Sequence, residues 1–146
     1  MWRILPCVLL GAGMAYQEVS KRVLLVDDEE SIRVVIAMLL SSLGVTVVTA
    51  RDATQALELY RSDTFDLVLT DYRMPGINGD QLARTIKASN RAQRIFMITG
   101  CAEAFLEPNA RPWFLDGIIS KPCSLDDLID ALNGLSPSID EDKVAA

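Results

Sequence analysis

The chain has 146 residues, half of them hydrophobic, which suits one globular domain with a proper core and excludes a disordered chain. The formal net charge is -6 and no cluster of Lys and Arg exists, which argues against nucleic acid as a direct partner. Histidine is absent, so a Ser-His-Asp triad, a Cys-His pair and His-ligated zinc are all excluded.

Residues 1–20 form an N-terminal extension that precedes the regular pattern. Arg3, the apolar run Ile4 to Leu10 and the small residues after it read on pattern as a signal peptide. The run is too short to span a bilayer, which takes about 20 apolar residues, and it contains Pro6. The preferred reading is a start upstream of the true one at Met14, ahead of a surface-packed extension and of secretion. Cys7, Cys101 and Cys123 are odd in number and form no C-x-x-C pair, which points to a reducing, cytoplasmic setting.

From Arg22 the pattern becomes regular. Val23–Val26 reads as a strand ending in Asp27-Asp28-Glu29-Glu30. Ile32, Ile36, Leu39, Leu40 and Leu43 then recur at helical spacing, with Gly44 placed to close the helix. Val45–Val48 is a β-branched strand, and Asp52 with Gln55 signals the cap of a second helix. Phe65–Thr70 is a third strand that runs into Asp71 and a loop marked by Pro75, Gly76 and Gly79. A helix over 79–88 follows, then a strand Ile95–Ile98 ending in Thr99. A weak helical stretch spans Ala102–Glu107, broken by Pro108 and Pro112. Ile118 and Ile119 make a short strand ending in Lys121-Pro122. Ser124 with Asp127 caps a last helix, and 136–146 is a polar tail. Five strands alternating with five helices predict a doubly wound α/β domain.

In such a sheet the ligand crevice lies beyond the carboxyl ends of the strands. Four strands deliver a reactive group there: Asp27 and Asp28, then Asp71, Thr99 and Lys121. Each has a bland reading taken singly. Asp28 could cap the first helix, Asp71 could be a turn aspartate, Thr99 a sheet residue and Lys121 a surface lysine. Together they bring three carboxylates to one edge, where they repel one another unless a cation and the Lys121 ammonium intervene. Mg2+ is the natural cation, because it takes one or two carboxylates and keeps waters that a phosphate can replace. Calcium would want more protein oxygens, and transition metals would want His or Cys.

The stretches V-D-D-E-E, L-T-D-Y-R-M-P-G-I-N-G, I-T-G and S-K-P, in this order, closely resemble the receiver domain of bacterial two-component response regulators. The resemblance covers residues 21–135 and implies a five-stranded, flavodoxin-like parallel sheet of order 2-1-3-4-5. It implies that Asp71 is the phosphoacceptor, and that Asp28, Asp71 and the backbone carbonyl of Arg73 ligate Mg2+ while Asp27 holds a metal-bound water. It assigns Thr99 as the switch hydroxyl, Lys121 as its phosphoryl-pairing partner and Pro122 as the residue after a cis peptide bond. The donor would be a histidine kinase or histidine phosphotransfer protein, since this chain has no histidine of its own. Further expectations are a stand-alone relay protein without direct nucleic-acid or membrane contact, whose only catalysis is its own phosphorylation and dephosphorylation.

Four positions depart from the family pattern: Ile118 where an aromatic is usual, Cys123 where Phe is common, Gly100 where Ala is common, and Pro108 in the fourth helix. They put the output side in question, and they place Trp113 and Ile118 on an expected output surface formed by the fourth helix, fifth strand and fifth helix. Three rival readings fit the residues less well. A haloacid dehalogenase-type phosphatase needs a second Asp where Arg73 stands. A flavodoxin-like FMN site is opposed by the acidic first loop. A receiver-like module working without phosphate should have lost part of a set that is complete here.

Overall fold

The computed structural model describes residues 8–10, 13–15, 21–101 and 112–134. Five parallel strands carry the domain: β1 (Arg22–Val26), β2 (Thr46–Ala50), β3 (Leu67–Asp71), β4 (Ile95–Thr99) and β5 (Gly117–Ser120). They lie in the order β2-β1-β3-β4-β5, with Val26 opposite Thr70 and Asp71 opposite Ile98. That is the expected doubly wound order. A separate antiparallel pair joins Val8–Leu10 to Gly13–Ala15, with Val8 opposite Ala15.

Every residue of β3 and β4 is buried, as near-continuous apolar runs should be when helices cover both faces of a parallel sheet. Alternation along β1 splits the core in two. Leu24 and Val26 pack with Val68, Met97, Ala56, Leu82 and Ile86. Val23 and Leu25 pack with Leu69, Ile98, Ile36, Leu40 and Leu128. Helices α2 (Ala53–Ser62) and α3 (Gly79–Ser89) therefore cover one face, and α1 (Glu30–Ser42) and α4 (Leu125–Leu132) the other. Truncating a fully buried side chain such as Leu40 to alanine would cost about 2–5 kcal/mol.

The helix ends follow local chemistry. Asp52 accepts a hydrogen bond from the Gln55 N–H at 2.7 Å, but Gln55 Oε1 accepts from Arg51 and not from Asp52, so this box is half formed. Ser124 with Asp127, and Asn78 with Gln81, form complete boxes. Gly44, at φ 78°, follows the Leu43 cap of α1, the left-handed position glycine favours there. The first cap of α1 is Glu29, whose side chain makes no cap hydrogen bond, so Asp28 is not a capping residue.

Some boundaries move. β3 starts at Leu67 because Asp66 is still paired sideways to Arg22, through both its N–H and its carboxylate. It also takes in Asp71, which had been expected just past its end. β5 is four residues long and includes Ser120, which pairs with Thr99. Lys87, on α3, is buried and donates to Asp116 Oδ2 at 3.0 Å; the same oxygen accepts the Ile95 N–H at 2.9 Å. This contact ties α3 to the starts of β4 and β5. The expected helix over 102–107, with Pro108, and the tail over 136–146 lie outside the described residues.

Candidate functional site

The site sits where β1, β3, β4 and β5 end together. Asp27 directly follows β1; its own N–H bonds the Ala50 carbonyl at 3.2 Å, extending the sheet one residue toward the site. Its side chain is buried, with Oδ1 accepting from the Glu29 N–H at 2.9 Å. Arg33 donates from Nη1 to the Asp27 carbonyl at 2.6 Å, holding the turn from below. Asp28 is exposed.

Asp71 closes β3. Its Oδ1 accepts two hydrogen bonds, from the Tyr72 N–H at 2.8 Å and from Lys121 Nζ at 3.1 Å. Oδ2 receives none from the described residues. Thr70 Oγ1 donates to the Asp71 carbonyl at 2.9 Å. On the far side, α3 begins hard against this strand end. A Cβ on Gly79 would overlap the Asp71 carbonyl oxygen and come within 3.0 Å of its carbon, so only glycine fits this approach. The loop closes through the Gly79 N–H, which bonds the Tyr72 carbonyl at 2.8 Å.

Lys121 reaches across from the end of β5. Its Nζ lies 3.1 Å from Asp71 Oδ1 and 3.3 Å from Asp27 Oδ2, and its N–H continues the ladder to the Thr99 carbonyl at 2.9 Å. The Lys121–Pro122 peptide bond is cis. Thr99 is buried, and its hydroxyl oxygen accepts the Cys101 N–H at 3.0 Å. The hydroxyl proton is therefore left to donate elsewhere.

One carboxylate oxygen each from Asp27, Asp28 and Asp71 can be chosen so that all three lie within 4.8 Å of one another. Burial pushes the Asp71 carboxyl above its usual range; Lys121 pulls it back, and the Asp27 charge adds to the rise. Burial pulls the Lys121 ammonium down, but Asp27 and Asp71 outweigh it and the net shift is upward. Three carboxylates facing one ammonium leave negative charge uncompensated. A set of oxygens only, with two of the three carboxylates buried, fits a small hard divalent cation and offers nothing to a soft one.

The fold thus brings together Asp27, Asp28, Asp71, Thr99 and Lys121, with Arg73 exposed two residues past Asp71. The two residues expected on the output surface lie apart from this cluster. Ile118 is 5% exposed and packs with Met97 and Phe114 inside the core, so it cannot form part of a surface. The reason is that the Phe114-Leu115 segment closes over the Ile118 side of β5 while Leu128 of α4 packs on the Ile119 side, so either parity of side chain is buried there. Trp113 is 68% exposed, as expected of a surface residue, and its ring lies 5.7 Å from the Arg91 guanidinium, past the C-terminal end of α3. Arg91 and Trp113 both precede the starts of β4 and β5, so this tryptophan stands at the opposite edge of the sheet from Asp71. Sequence reading missed Arg33 and the Gly79 approach: an arginine on a helix carries no signal of its target, and Gly79 read only as a loop marker.

The family model for the response regulator receiver domain matches residues 23–133. This chain belongs to that family. The sensor protein BvgS of Bordetella pertussis is 34% identical over 135 residues, covering 88% of this chain and 11% of BvgS. The chain thus spans about a tenth of the length of that curated relative. The chemotaxis protein CheY of Pseudomonas aeruginosa is 38% identical over 84 residues, covering 57% of this chain and 68% of CheY. Among solved structures, the response regulator TrrA of Thermotoga maritima, in complex with Mg(2+)-BeF, is 30% identical with a TM-score of 0.70, over 77% of this chain and 96% of TrrA. A receiver domain protein from Clostridium thermocellum also gives 0.70, at 26% identity over 86% and 94%. No helix among the described residues of this receiver is long and apolar enough to cross a membrane.

Proposed function

We propose that this receiver accepts a phosphoryl group on Asp71 from a phosphohistidine of a histidine kinase or histidine phosphotransfer protein, and signals by binding other proteins. The observation that carries the reading is the state of the Asp71 carboxylate. One oxygen is held by Tyr72 and Lys121 while the other accepts no hydrogen bond from the described residues, within the cluster formed with Asp27 and Asp28. An oxygen of Asp71 attacks phosphorus in line; the new O–P bond forms as the P–N bond breaks, and the imidazole nitrogen leaves with the electron pair. Lys121 stays protonated and pairs with a phosphoryl oxygen, and Thr99 donates its hydroxyl proton to another. Water later attacks the acyl phosphate, returning inorganic phosphate and the Asp71 carboxylate. This turnover of its own phosphoryl group is the only catalysis assigned to the domain.

Asp27, Asp28, Asp71 and the Arg73 carbonyl would hold Mg2+, Asp27 through a water. When bound, the ion neutralises charge on the transferring group. The likeness to TrrA, solved with Mg(2+)-BeF, supports this assignment. We place the domain at residues 21–135 and the protein in the cytoplasm. Incubation with a small-molecule phosphodonor and Mg2+ should add one phosphoryl group by intact mass. An adduct that persists in Asp71→Asn, or that forms in excess chelator, would refute the assignment. Absence of any adduct would favour a receiver-like module that binds partners without phosphorylation.

A further inference from the structure

Asp27 and Asp71 are held in the cluster by their side chains, through Glu29 N–H, Tyr72 N–H and Lys121. Asp28 is not: among the described residues no hydrogen bond or ion pair reaches its exposed carboxylate, yet an oxygen of it lies within 4.8 Å of the other two. The backbone that carries Asp28 must therefore set its place, and that backbone hangs between two anchors. On one side the Asp27 carbonyl, part of the peptide group that joins Asp27 to Asp28, accepts from Arg33 Nη1 at 2.6 Å. On the other the Glu29 N–H donates to Asp27 Oδ1 at 2.9 Å.

Arg33 stands where a cation is disfavoured. It is the fourth residue of α1, near the positive end of the helix dipole, and half-buried. Among the described residues it forms no ion pair with a carboxylate, although an acidic cluster lies beside it. Its guanidinium bonds a main-chain carbonyl instead. A residue that breaks a local rule in this way is expected where a site requires it.

We propose that Arg33 is a positioning residue for the cation site: its bond to the Asp27 carbonyl fixes the peptide group that carries Asp28, and so keeps the Asp28 carboxylate within the cluster. On the reading that these carboxylates hold Mg2+, Arg33 has two opposed effects. Its charge repels a cation bound nearby, while its bond pre-organises a ligand that no other described side chain holds. Without that bond one end of the Asp28 backbone is released, and repulsion from Asp27 and Asp71 drives the carboxylate outward. Removing a group that orients a metal's ligands weakens binding by about 10–100-fold. Removing a nearby positive charge alone would tighten it, so the sign of the change separates the two effects.

The test is calorimetric titration of the full chain with Mg2+, for the parent, Arg33→Met and Arg33→Lys. Arg33→Met should bind about tenfold more weakly, and Arg33→Lys, which keeps a charge and a donor, should recover part of the loss. Unchanged or tighter binding by Arg33→Met would overturn the proposal. A second readout needs no metal. In excess chelator, amide exchange at Glu29 should quicken about tenfold in Arg33→Met, while that of Leu25 inside β1 stays as in the parent. Equal quickening at both positions would make Arg33 a general support of the fold and overturn the proposal as well. A parent that binds no Mg2+ would instead refute the metal assignment, and the Glu29 exchange, read in chelator, would still decide the role of Arg33.

Discussion

Replacing Gly79 with alanine should damage the fold and the site together. The added Cβ would overlap the Asp71 carbonyl oxygen and sit 3.0 Å from its carbon and 3.1 Å from Tyr72 Cα, all backbone atoms that cannot rotate away. Restoring ordinary contact needs a shift of roughly 1 Å or more in either the first turn of α3 or the end of β3. Overpacking of this kind costs about 1–3 kcal/mol, and the gain from alanine over glycine in a helix returns at most about 1 kcal/mol. The net loss is about 1–2 kcal/mol, which for a domain of this size lowers the melting temperature by about 3–12 °C. Circular dichroism melts of Gly79→Ala, Gly100→Ala and Gly76→Ala together provide the control. A Cβ on Gly100 meets nothing within 4 Å, so that variant should melt with the parent; Gly76 is open but sits at φ +78°, so it should lose about 1 kcal/mol. The same shift moves Asp71, so phosphoryl uptake by Gly79→Ala should slow even well below its melting point. If Gly79→Ala melts within 2 °C of the parent while Gly76→Ala falls further, the close approach is not what requires glycine at 79 and the reasoning fails.

Lys121→Met removes the ammonium between Asp27 and Asp71; phosphoryl uptake from a small donor should fall about 100-fold, followed by intact mass over time. Asp27→Asn should weaken Mg2+ binding tenfold or more by calorimetric titration, about the loss expected from disturbing a group that orients a metal's ligands. Lys87→Met leaves Asp116 without its ammonium, and because that carboxylate is 40% exposed the cost should be about 1–2 kcal/mol in urea unfolding, less than for a fully buried pair. Trp113→Phe should leave both uptake and melting temperature unchanged, since the ring is mostly exposed at the far edge from Asp71; a clear loss in either would bring that edge into the mechanism.

What could be read from the chain follows from how the sheet is made. Runs such as Leu67–Leu69 and Ile95–Ile98 mark strands, and in a doubly wound sheet every strand end faces the same way, so Asp27, Asp71, Thr99 and Lys121 were bound to converge. Their distances and partners were not legible, because hydrogen bonds such as Arg33 to the Asp27 carbonyl depend on the angle of α1 against the sheet. The Lys87–Asp116 contact was not legible either, since a half-buried ion pair leaves no periodic trace when its members are 29 residues apart. The burial of Ile118 escaped the sequence for a related reason. Alternation identifies an outer face only where one face is wet, and a loop has no period at all.

The backbone ladder that runs past the strand ends, with Lys121 N–H on the Thr99 carbonyl and Asp27 N–H on that of Ala50, has a consequence in time. Those amides are bonded to the buried strand ends at Ala50 and Thr99, so the frame around the site opens with the sheet, on the slow scale of unfolding. Side-chain rotations at Thr99 and Lys121 meet no such barrier and run many orders of magnitude faster. Amide exchange at Asp27 and Lys121 should therefore be among the slowest in the protein, although both residues border the crevice. A signal leaving this site would then begin as a side-chain event on a static frame.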